Sequence, residues 1–157
     1  MTPAHAQLLR QLLNKNSVAA LGTLEGDSPF VSMTPFAVTD DGRSLIVHVS
    51  RLAAHTRNMR AHAAVSLMVM DPEGPGMMPQ GLARVTIQGD ARSLGEDDRE
   101  FVSAKAAYLQ RFPQAADLFS FPDFSLFLID IQSARFVGGF AQAMSLTPES
   151  FAKAVRG

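Results

Sequence analysis

The sequence predicts a small, mainly β domain with α-helices packed outside a closed or partly closed antiparallel barrel. Three observations carry the prediction. Short runs of β-prone residues recur along all 157 residues. Tight turns rich in glycine, aspartate and proline join them, and segments of helical period lie at both ends and between strands. The length fits one domain, taken as 1–157, which can bury a core without a disulfide or a metal.

A helix is expected over 3–14, with Pro3 in its first turn and Ala4, Leu8, Leu9, Leu12 and Leu13 on one face. "SVAALGTL" (17–24) and "FVSMTPFAV" (30–38) read as strands around the turn Glu25–Pro29. Asp40-Asp41-Gly42 then turns the chain into a third strand, "SLIVHVS" (44–50). The period changes over 52–62, where a short helix is expected with Ser50 as its N-terminal cap. "AVSLMVM" (64–70) returns to β, and "DPEGPGMMPQG" is a loop. In the next strand Ala83, Val85 and Ile87 alternate with Arg84, Thr86 and Gln88. A helix over 96–111 starts with acids and ends with cations, as the macrodipole prefers, and a shorter helical piece follows around Pro113–Phe119. A strand over 123–131 runs on through "ARFVGGF", and a last helix, 147–155, opens on Thr147 and Pro148.

Composition narrows the function. There is no cysteine, which excludes thiolate metal sites and disulfides and predicts a reducing, cytoplasmic setting. The first residues lack the pattern of a secretory signal, and no apolar run reaches the ~18 residues of a membrane span. A net charge of −1 gives no general attraction to nucleic acid or to an acidic membrane. Recognition of an anion must then be local. Two strands, "VSLMVM" and "FSLFLIDI", are apolar on both faces, so each needs a second cover. A second subunit is the expected cover, and the helix over 96–111 is the alternative.

The stretch 50–60 concentrates donors: Ser50, Arg51, His55, Thr56, Arg57, Asn58 and Arg60, with no acid nearby. Unpaired N–H groups at a helix start, with arginine beside them, can hold a phosphate. For Arg57 and Arg60 taken alone, a solvated helix face is the preferred reading. Pro35, inside a strand, marks an edge or a bulge where the ladder opens.

"ALGTLEGDSPFVSMTPFAV", "HVSRLAAHTRNMRAHAAVSLMV" and "ARVTIQGDA", in this order and spacing, resemble the pyridoxamine 5′-phosphate oxidase-like FMN-binding split barrels. "YLQRFPQAADLFSFPDFSLFLIDIQSARFVGGF" is similar to their haem-utilisation (HugZ-type) branch. The resemblance implies a six-stranded antiparallel Greek-key split β-barrel with external helices, working as a homodimer with FMN where two subunits meet. It also implies cofactor contacts from Ser32, Met33, Thr34 and Pro35, from His48, Val49, Ser50 and Arg51, from His55, Thr56 and Asn58, and from Arg84. The oxidases carry lysine at the position of His55, and Gly138-Gly139-Phe140-Ala141 stands where the branch has GGFG.

Nothing points to a metal site: His48, His55 and His62 are seven apart, a spacing that closes no compact site. No catalytic nucleophile or proton donor can be named. Two functions follow as expectations. One is an FMN-dependent oxidoreductase acting on an unknown small molecule. The other is a haem-binding or regulatory module on the same barrel.

Overall fold

The structure is a computed structural model and describes residues 1–157. Helix α1 (Pro3–Lys15) is capped by Thr2, whose hydroxyl accepts from the His5 N–H. Its buried seam is Leu9, Leu12 and Leu13; Ala4 and Leu8 stand outside the expected face. Strand β1 (Val18–Glu25) turns through Gly26 and Asp27 into β2 (Ser28–Pro35). Gly26 has φ +62°, which the first central position of this two-residue hairpin requires.

β2 ends at Pro35, one residue before the two-residue β3 (Ala37–Val38). Then come β4 (Ser44–Ser50), α2 (Ala54–Ala61), β5 (Ala64–Met70), a 3₁₀ turn at Pro79–Gly81 and β6 (Arg84–Leu94). Helix α3 (Phe101–Arg111), a 3₁₀ segment (Pro113–Ser120), β7 (Phe124–Val137), β8 (Ala143–Leu146) and α4 (Pro148–Arg156) complete the chain.

The strands lie in the order β2-β1-β5-β6-β7-β4-β3, all antiparallel, with β8 on β7. The two ends of that path, β2 and β3, are consecutive in the chain. The sheet therefore closes on itself through Pro35 and Phe36. Counted as one interrupted strand, β2 and β3 restore the expected six-stranded Greek-key barrel. The interruption follows from proline, which has no N–H for the ladder. β8 is the strand that sequence reading missed.

Inside the barrel Leu21, Leu45, Val47, Ile87, Phe127, Ile129 and Phe136 form one cluster, joined by leucines of α1 and by Phe151 of α4. A register shift between Gln88 and Gly89 lets β6 follow β7 around the barrel. A Cβ on Gly89 would stand 2.5 Å from the Asp130 carbonyl oxygen and 2.9 Å from Ile129 Cγ2. Only glycine fits that crossing.

Two expectations are corrected. The second face of 124–131 is covered from within the chain: Leu126 and Leu128, with Ile46 of β4, pack against Ala104 and Tyr108 of α3 and Ala115 of the 3₁₀ segment. The helix expected from 96 begins at Phe101, because its acids are spent in the preceding turns. Asp98 accepts the Gly95 N–H, and Glu100 and Asp130 both hold Arg92, at 2.8 and 2.6 Å.

Candidate functional site

The site is built where β4 passes into α2. Ser50 shapes the turn, since its side-chain oxygen accepts the Leu52 N–H and its carbonyl accepts from the Ala53 N–H and the Thr56 hydroxyl. The Arg51 N–H donates to the Asp123 carbonyl, which ties the turn to the segment before β7. With the backbone fixed on both sides, the Arg51 side chain is exposed and has no hydrogen-bond partner in the protein. None of the three ion pairs involves Arg51, Arg57 or Arg60.

Ser50 is not the cap of α2, as the sequence had led us to expect. The cap position is Ala53, which has no side chain able to accept. The N–H groups of Ala54 and His55 find no partner. At α1 and α4, by contrast, threonine hydroxyls fill that role. A helix start with free N–H groups and an unpaired guanidinium next to it attracts negative charge.

The interior face of α2 is committed. Met59 enters the barrel core, Thr56 is fully buried, and the Asn58 amide donates to Thr23 Oγ1 at 3.0 Å. These bonds fix the helix across the barrel mouth and bring His55 to β2. There His55 Nδ1 lies 2.8 Å from Ser32 Oγ. Burial pushes the His55 pKa below its usual value, which favours the neutral ring.

The predicted cofactor residues thus divide. Ser32, Ser50, Arg51 and His55 meet at the junction. Thr34, Val49, Thr56 and Asn58 face inward; Thr34 is buried and its hydroxyl donates to the Pro35 carbonyl. Pro35 closes β2 opposite Val18. Met33 and Arg84 belong to a different surface, the outer face of β2, β1, β5 and β6. Met33 is 62% exposed there, and Arg84 Nη1 donates to the carbonyls of Gln80 and Leu82, holding the 3₁₀ turn.

His48 points the other way, into the layer between β4 and α3. Its ring stacks on Phe119 at 3.8 Å and 7°, with Tyr108 edge-on. Burial, and then the charge of Lys105, lower its pKa to about 4. Its Nδ1 is buried without a partner.

Sequence reading marked the uncovered apolar face of β5 but not its continuation across β1 and β2. Met33 and Met68 flank Ala20 in register, and Val31 and Ser66 flank Gly22. Val31 is 70% exposed, Val18 45% and Met68 37%. The available signal was in β1, which places the small residues Ala20 and Gly22 at its outward positions.

No group of three or more His, Asp or Glu side chains is gathered to hold a metal ion, and no helix is long and apolar enough to cross a membrane. A pyridoxamine 5′-phosphate oxidase family model matches residues 6–138. The chain is 38% identical over 140 residues to HOZ, a chloroplastic heme oxygenase of Arabidopsis thaliana, covering 86% of this chain and 40% of that one. It is 26% identical over 141 residues to the heme oxygenase HutZ of Vibrio cholerae, covering 88% and 79%. A heme binding protein from Mycobacterium smegmatis superposes with a TM-score of 0.84 at 28% identity, covering 98% of this chain and 62% of that one. The chain therefore spans less than half of the plant relative and under two thirds of the mycobacterial one.

Proposed function

The chain belongs to the pyridoxamine 5′-phosphate oxidase family, and we propose that within it the chain is a haem-utilisation protein that binds haem as a homodimer. The observation that carries this reading is that both curated relatives, matched over nearly the whole chain, are named heme oxygenases.

The residues present fit the group. Haem and FMN share an outline: a broad flat ring with negative charge at one edge. β2 joins the two surfaces such a ligand needs. Its Ser32 touches His55 at the junction, while Val31 and Met33 stand on the open face. Arg51 and the free N–H groups of Ala54 and His55 would hold the charged edge. Met33, Met68 and Val31 would contact the ring, where polarizable thioethers adapt well to a flat partner. A second copy of the chain would cover the remaining apolar surface, since a contiguous patch of this kind marks an interaction site.

The protein's part is binding, orientation and exclusion of water, and the bound group supplies the redox chemistry. His48 lies outside this part, because Phe119 covers its ring. FMN is the second reading, with an oxidoreductase activity on a small molecule. It is favoured by the α2 start, whose unpaired N–H groups suit a phosphate.

Titration with haem, followed in the Soret band, and with FMN, followed by quenching of flavin fluorescence, separates the two. We expect saturable haem uptake of about one per protomer. Flavin retained on purification, with no Soret shift, would put FMN in its place. Uptake of neither contradicts both readings.

A further inference from the structure

The Ser32–His55 contact carries an inference that deepens the reading of the ligand's charged edge and rests on it. We propose that Ser32 is a positioning residue, holding His55 in the tautomer whose Nε2–H donates to that anionic edge. A neutral imidazole has one N–H and one lone pair, and the partner of one nitrogen decides the state of the other. Two arrangements satisfy the 2.8 Å contact.

In the first, Nδ1–H donates to Ser32 Oγ. The serine O–H is then left without an acceptor in the protein, because Ser32 Oγ makes no second hydrogen bond. In the second, Ser32 donates to Nδ1. The free donor is then Nε2–H, on the side of the ring away from Ser32. Each arrangement leaves one donor without a partner in the protein, and only the second offers that donor from the ring to a ligand.

It is also the arrangement a carboxylate or a phosphate requires, since Nε2–H attracts an anion and a bare lone pair repels it. Haem propionates and the flavin phosphate share this requirement. A further consequence concerns iron. A ring nitrogen that carries a proton has no lone pair to give a metal, so His55 is not the iron ligand of a bound haem.

The ring is held from both sides. Thr56 and Asn58 fix α2 through Ser50 and Thr23, and Ser32 projects from the inner face of β2 opposite Leu21.

Nitrogen-15 NMR of the His55 ring in the ligand-free protein tests the claim directly. Wild type should show Nε2 protonated and Nδ1 bare. Ser32→Ala should show a mixture of tautomers, and Ser32→Thr, which keeps the hydroxyl, should restore the wild-type pattern. In separate haem and FMN titrations, Ser32→Ala should weaken whichever ligand binds by about tenfold, and Ser32→Thr should not. At saturating haem, His55→Ala should leave the Soret position unchanged. A wild-type ring protonated at Nδ1, an Ala variant with unchanged tautomer and affinity, or a shifted Soret band in His55→Ala would overturn the proposal. Absence of any haem or FMN binding by wild type would remove the function proposed above, while the tautomer in the free protein would still decide the role of Ser32.

Discussion

The barrel has two apolar outer faces, and the chain treats them differently. Over β4 and β7, Ile46, Leu126 and Leu128 are sealed by α3 and the 3₁₀ segment, and each is at most 2% exposed. Over β2, β1 and β5, Val31, Met33 and Met68 remain uncovered. Both faces read alike in sequence, as apolar residues on the side of a strand that usually faces water. The difference lies in what the chain can lay across them. The segment 101–120 supplies Ala104, Tyr108 and Ala115 for the first face, and no element crosses the second. A two-faced strand therefore says that a cover exists, without saying whose.

Substitutions on the two faces should differ most in folding stability. Leu128→Ala leaves a cavity under α3 and should cost about 2–5 kcal/mol in urea denaturation. Met68→Ala on the open face should cost less than about 1 kcal/mol when measured on the monomer. Equal costs would mean that the open face is sealed too.

His48 sharpens the comparison, because it is the buried group of the sealed face that titrates on the acid side of neutrality. Its pKa in the folded protein is about 4, against the usual 6.5. Between those values the unfolded chain binds the proton and the folded chain does not. The contribution is therefore fully present above about pH 6.5 and is lost as the pH falls towards 4, on the order of 3 kcal/mol. His48→Phe should flatten that part of the pH–stability curve without loss at pH 7, since the orphaned Nδ1 goes with the ring. An unchanged acid limb in the variant would place its cause elsewhere.

At the junction the expected effect is on binding, not on folding. Arg51→Ala should weaken haem uptake by about tenfold or more, as the loss of a charge-assisted bond implies. Thermal unfolding should stay within a degree or two of wild type, because the exposed side chain makes no hydrogen bond or ion pair in the protein. A large loss of stability with unaltered uptake would reverse the assignment.

Most of the barrel was legible because strand alternation and turn chemistry are local. The hairpin at Gly26 and the cap at Thr147 stand as expected. Pro35 announced the break in the second strand, but the closure it allows depends on β4, which the local pattern does not contain. β8 escaped notice because its four residues alternate weakly and pair only with β7.

The site was legible as a segment and illegible as directions. Thr56 and Asn58 looked like free donors, yet Thr56 shares a helix face with Met59, three residues on, and Met59 enters the core. That spacing was in the sequence. His48 looked like part of the same cluster, yet strand alternation turns it away from Val47 and Val49 and into the helix layer. The absence of a capping side chain at Ala53 gained meaning only when the helix start was fixed at Ala54.

The most direct test of the central claim joins assembly to ligand. Met33→Asp with Met68→Asp places charge on the open face without touching the junction donors, and its mass by sedimentation equilibrium can be measured with its haem uptake. The account predicts a folded monomer that has lost tight haem binding, beside a dimeric wild type that retains it. A charged monomer that takes up haem as tightly as wild type would contradict it.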